Sequence, residues 1–176
     1  MARKQRGFTL LELMVTLVVA ATLMGIAIPA FSVWLPNYRL RNAVLDVFSN
    51  FQQTKMRAVR ANEPHSLVFD PGNNSYRIED SGGAVVKNVS LAQYGNPGEI
   101  TFGGGSATKN ATTSGGALPG DGVSYGSETV TFNARGLGNA GYAYMQNGRG
   151  TAYALGTESS GLIKMKKWNG SANKWE

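Results

Sequence analysis

The stretch RGFTLLELMVTLVVAATLMGIAIPAF (Arg6–Phe31) holds a single carboxylate, Glu12, at the start of a long apolar run. From Leu13 to Tyr38 no residue carries a charge, which exceeds the ~20 residues needed to cross a bilayer core. Arg3, Lys4 and Arg6 precede the run and favour a cytoplasmic N-terminus, with the bulk of the chain on the far side. Arg39 and Arg41, just beyond the run, keep that asymmetry modest. Three simple explanations fit poorly. An ordinary secretory signal has a shorter apolar region followed by a small-x-small cleavage site. A core helix needs no basic leader. A plain membrane anchor fits length and flanks but leaves Glu12 and the Gly7-Phe8 junction unexplained.

A carboxylate in an apolar segment is costly, about 2.5–3.5 kcal/mol at a helix centre and less near an interface. Such a group ordinarily has a partner, and the run itself offers no cation. A cut between Gly7 and Phe8 would supply one, the new α-amino group of Phe8. Phe8 and Glu12 are one helical turn apart. In a packed bundle the same amine meets Glu12 of a neighbouring chain instead, and the carboxylate then sets register.

RGFTLLELMVTLVV resembles the processing site of type IV prepilins and type II secretion pseudopilins. The resemblance implies that a prepilin peptidase cuts after Gly7 and that Phe8 becomes N-methylated. It further implies that Glu12, fifth in the mature chain, neutralises a neighbour's amine in the filament. Pro29 stands where pilin-like helices carry a proline. Its ring removes one donor and disfavours helical geometry before it, so a kink or local melting near Ala27–Phe31 is expected. Pro36 marks the passage to the polar half.

Outward from the apolar run, NYRLRNAVLDVFSNFQQTKMRAVRAN (Asn37–Asn62) has helical periodicity. Leu40, Val44, Val47, Phe48, Phe51, Ala58 and Val59 share one side, with charged and polar residues on the rest. The two halves predict a helical stem of ~55 residues, ended by Asn62 and Pro64. Beyond Pro64 the period changes to two, with strands expected in HSLVFD, SYRIED, AVVKNVSL, EITFGG, ETVTFNARG, GYAYMQNG, TAYALGT and GLIKMKKW. Tyr142, Tyr144 and Gln146 alternate with Ala143 and Met145, predicting a half-buried strand. Most of the 23 glycines follow position 71, as turns between short strands require. The expected fold is α+β, a long N-terminal helix packed against an antiparallel sheet. The expected divisions are a cleaved leader at 1–7, a transmembrane half at 8–36, an amphipathic half at 37–63 and a β-rich head at 64–176. A flexible, exposed loop is expected at 103–122.

NFQQTKMRAVRANEPHSLVFDP is similar to the helix-to-strand segment of GspH- and FimT-like minor pilins. VTFNARGLGNAGYAYMQNGRG resembles their penultimate strands, with Asn133, Arg135 and Gly136 in place. Members often carry head cysteines. This chain has none, so no disulfide is carried over.

Catalytic chemistry finds little support. One histidine, His65, excludes any histidine pair or triad. Glu79 and Asp80 point to opposite faces of a strand. Asp121 lacks calcium-loop spacing, and the glycine runs precede no Gly-Lys-Ser/Thr. No enzyme activity, cofactor or metal is expected. Net charge is +6, of which the first seven residues supply three, leaving 6 − 3 = +3, too little for a dedicated nucleic-acid binder.

The C-terminal segment nonetheless groups Lys164, Lys166 and Lys167, with Trp168 and Trp175 as aromatic platforms. Some FimT-like minor pilins bind DNA through a basic C-terminal region, often Gly-Arg-x-Arg. Here Gly161 is followed by lysines at a different spacing, and lysine gives only a point charge. Lysines guarding an edge strand explain the same residues. The expected function is a minor pilin or pseudopilin in the inner membrane with a periplasmic head, with prepilin peptidase and other pilins as partners. The alternative is a pilus-tip DNA receptor.

Overall fold

The computed structural model describes residues 7–176 and divides between Leu35 and Pro36 into two compact units. Helix α1 spans Leu10–Ala61, 52 residues. Its end is a Schellman motif. Asn62 takes a positive φ of 56°, its N–H donates to Val59 O at 3.4 Å, and Glu63 N–H donates to Ala58 O at 3.2 Å. Pro64 follows. The local melting expected at Ala27–Phe31 is absent, because the helix runs through both Pro29 and Pro36. Pro29 removes one donor, opposite the carbonyl four residues back at Gly25, and the flanking residues carry the helix on. Ser32 Oγ donates to the Pro29 carbonyl at 2.8 Å.

In the second unit the chain forms two antiparallel sheets where one was expected. The first has the order β3-β2-β1-β5, with β1 His65–Asp70, β2 Ser75–Glu79, β3 Val85–Ser90 and β5 Thr129–Phe132. The second is β4-β6-β7-β8-β9, with β4 Ile100–Phe102, β6 Gly141–Asn147, β7 Ala152–Thr157, β8 Ile163–Asn169 and β9 Lys174–Trp175. Period-two burial along β1 and β2 turns Leu67, Phe69, Tyr76 and Ile78 into the core.

The portion of α1 within this unit buries Leu40, Ala43, Val44, Val47, Phe51 and Ala58 in that same core. Phe51 lies 6.0 Å from the Phe69 ring and meets Phe132 edge-on at 6.4 Å. Val59, expected on the buried side, is 48 % exposed, because Asn50 and Thr54 occupy the buried stripe instead. Asn50 is fully buried and satisfied. It donates to Asp46 Oδ2 at 3.0 Å and to Tyr76 Oη at 2.5 Å, and accepts from Lys87 Nζ at 2.9 Å. Tyr94 Oη donates to the same Asp46 oxygen. Burial pushes both Tyr76 and Tyr94 well above the ordinary phenol range.

The segment 103–122 does not stand free in solvent. Ala107 and Ala111 are buried against the outer face of β6, β7 and β8. Ala111 N–H donates to Tyr144 Oη at 2.8 Å, Gly105 N–H to Gln146 Oε1 at 2.5 Å, and Trp175 Nε1 to Lys109 O at 2.7 Å. Strand β6 is therefore covered on both sides, and Tyr144 is buried where a half-exposed strand was expected.

A tight turn after β5 explains the Asn133-Arg135-Gly136 pattern. Asn133 Oδ1 accepts from the N–H groups of Arg135 and Leu137, closing an Asx turn. Gly136 has φ +75°, and Gly161 has φ +74° with its Cα against the Gly136 carbonyl. Lys55 Nζ donates to the Gly161 carbonyl at 2.9 Å, tying the turn between β7 and β8 to α1.

Candidate functional site

The leader cations Arg3, Lys4 and Arg6 lie outside the described residues. Gly7 has open space around its Cα, and Phe8 is almost fully exposed, so the Gly7-Phe8 bond is sterically accessible. Helix α1 begins two residues later. Thr9 caps it, accepting from Glu12 N–H at 3.2 Å while its carbonyl accepts from Leu13 N–H at 3.2 Å. Glu12 thus stands at the third helical position, where a carboxylate complements the positive end of the helix dipole. Among the described residues no cation pairs with its carboxylate. The pattern Thr9-x-x-Glu12 is a capping-box signature legible in the sequence.

Past Glu12 the side chains of Leu13, Met14, Leu17, Val18, Leu23 and Ile26 are all more than half exposed. This helix is long and apolar enough to cross a membrane, and its most apolar window buries nothing within the chain. A helix apolar all round and unpacked by its own chain needs lipid or other helices around it. Thr16 and Thr22 return their hydroxyls to carbonyls one turn back, so they present no free polar group.

The C-terminal lysines are placed differently from one another. Lys164 is paired with Glu158, which holds its ammonium above the usual lysine range. Lys166 donates to Ala111 O at 2.8 Å and lies 5.6 Å from the Tyr142 ring centre. Lys167 points from the opposite face, over Tyr153 at 6.0 Å. Trp168 is only 7 % exposed, packed on Trp175 beneath the 103–122 segment, so it offers no free face for stacking. The three lysines form no continuous basic track.

Residues 2–28 match the prokaryotic N-terminal methylation motif. Among solved structures, the minor pseudopilin EpsH of the type 2 secretion system of Vibrio cholerae is similar in fold. Its TM-score is 0.50 at 6 % identity, over 72 % of this chain and 95 % of that one. The type IV minor pilin FimU of Pseudomonas aeruginosa gives a TM-score of 0.49 at 14 % identity, over 80 % and 94 %. No curated protein sequence matches the chain. The chain thus joins a prokaryotic N-terminal methylation motif to an α+β fold similar to that of a minor pseudopilin.

Proposed function

We propose that the chain is a structural subunit, of the minor pilin or pseudopilin kind, that enters a type IV pilus or a type II secretion pseudopilus. A prepilin peptidase cuts between Gly7 and Phe8, Phe8 is methylated, and the apolar part of α1 holds the subunit in the inner membrane with its head in the periplasm. Extraction into the filament replaces lipid around that helix by the helices of neighbouring pilins.

One observation carries this reading: Glu12 is the lone carboxylate at the head of the apolar part of α1, whose most apolar window is unburied by its own chain, five residues past an accessible Gly-Phe bond. The helix start gives the carboxylate a local place but no counter-charge, and a neighbour's amine supplies one. The cost of the group is offset only in the assembly.

The test of processing is the intact mass of the chain recovered from membranes of a cell with a working prepilin peptidase. The reading expects loss of the first seven residues and gain of one methyl group. A Gly7→Asp variant should keep its leader and stay out of filaments. A mature chain that still begins at Met1 in the same cells would overturn the reading.

A further inference from the structure

On the outer face of the head, strand β9, the middle of β8 and residues 109–115 of the 103–122 segment line a cleft of about 460 Å³. Three separate stretches of chain bring Lys109, Lys166 and Lys174 to it, and no carboxylate lines it. Convergent like charges repel, so such an arrangement marks a place where negative charge is received. Lys174 shares its ammonium with Glu176 at 3.0 Å. Lys166 uses one of its three donors on Ala111 O. Lys109 has no ionic partner among the described residues.

The rest of the lining narrows the ligand. Trp175 forms one wall, and its indole is fixed, since Nε1 is bonded to Lys109 O and the ring packs on Trp168 and Tyr144 at 5.2 and 5.4 Å. Asn110, Thr112, Thr113 and Ser114 supply amide and hydroxyl groups. The volume lies in the range of small-ligand sites. We infer that this cleft binds an acidic saccharide: carboxylates meet the lysines, sugar hydroxyls meet the threonines and Asn110, and the apolar face of a sugar ring lies on Trp175. A nucleic-acid strand fits less well. Its phosphates need a basic track, whereas Lys164 and Lys167, which would extend one, are held by Glu158 and Tyr153.

The experiment uses the full chain in detergent and three probes of similar length: tetragalacturonate, maltotetraose and oligo-dT. Tetragalacturonate should bind, more weakly as salt rises, and maltotetraose should not. Lys166→Ala should lower the affinity by roughly tenfold, about 1.4 kcal/mol. Because Lys166 also ties the loop, Lys109→Glu is the second variant; the Lys109 ammonium makes no hydrogen bond or ion pair among the described residues, and the variant should abolish binding with an unchanged melting midpoint. Absence of tetragalacturonate binding, equal binding of maltotetraose, or a Lys109→Glu chain that binds like the native one overturns the inference. Tighter binding of oligo-dT, lost in the same variants, overturns it in favour of a nucleic-acid cleft.

Discussion

The N–H of Glu12 donates to Thr9 Oγ1 at 3.2 Å, so the residue that caps α1 also fixes where the Glu12 carboxylate sits. Cap and carboxylate have separable tasks. A cap needs an oxygen at position nine. Pairing with a neighbour's amine needs a negative charge at position twelve. Thr9→Ala is expected to loosen the helix start by about 1 kcal/mol and leave the charge in place. Amide exchange over residues 10–13 in detergent measures the loosening.

Gly161 and Gly136 meet backbone to backbone. A Cβ on Gly161 would stand 1.9 Å from the Gly136 carbonyl oxygen, and φ is +74° as well. Gly161→Ala is expected to destabilise the head by at least about 3 kcal/mol, through collision and a left-handed backbone together. A shift in urea midpoint checks this. A neutral Gly161→Ala would show that the approach relaxes freely.

Tyr144 Oη is the acceptor for the buried N–H of Ala111. Tyr144→Phe leaves that donor without a partner and is expected to cost about 1–3 kcal/mol. Limited proteolysis should then cut within 103–122 before any other part of the head.

Burial raises the ionisation of Tyr76, Tyr94, Tyr125, Tyr144 and Tyr153 above the phenol range. Folded phenols keep their protons where unfolded ones lose them, near pH 10. The unfolded state then binds fewer protons, so stability is unaffected by these groups below about pH 10 and falls as pH rises past it. Phenolate absorbance should show these five tyrosines still protonated near pH 10 in the folded chain and ionising there in urea. Full titration of the folded chain near pH 10 would contradict the buried assignments.

Much of this fold was legible because its signals are local. The apolar run, the Asn62-x-Pro64 stop and the alternation in HSLVFD each depend on neighbours in sequence, and each element lies where its pattern puts it. The rest depends on partners far away. Nothing near Asn50 announces that Tyr76 and Lys87 will satisfy it inside the core, so periodicity puts Val59 on the buried side in its place. The segment 103–122 has the composition of a solvated loop, yet small side chains are what allow it to lie flat over β6 and β7. Asn139 lies in the glycine-rich stretch GLGNAG at 136–141, whose composition is that of a turn. Its amide instead seals the edge of β5, with Oδ1 accepting from Thr131 N–H and Nδ2 donating to Thr129 O, both at 2.8 Å. At the N-terminus the opposite holds. The residues of the proposed processing and assembly site are adjacent in sequence, and the partner proposed for them belongs to another molecule.

The most direct measurement is therefore made between molecules: the share of subunits recovered in sheared filaments for Glu12→Gln against the native chain, at equal membrane levels. Glutamine keeps the size, the helical position and the reach of a capping box, and removes only the charge. The account predicts normal insertion and a fall in incorporation of more than about tenfold, since breaking one side of a buried ion pair costs about 3–5 kcal/mol. Incorporation of Glu12→Gln at the native level would contradict it, and would leave Glu12 as no more than a residue of the helix start.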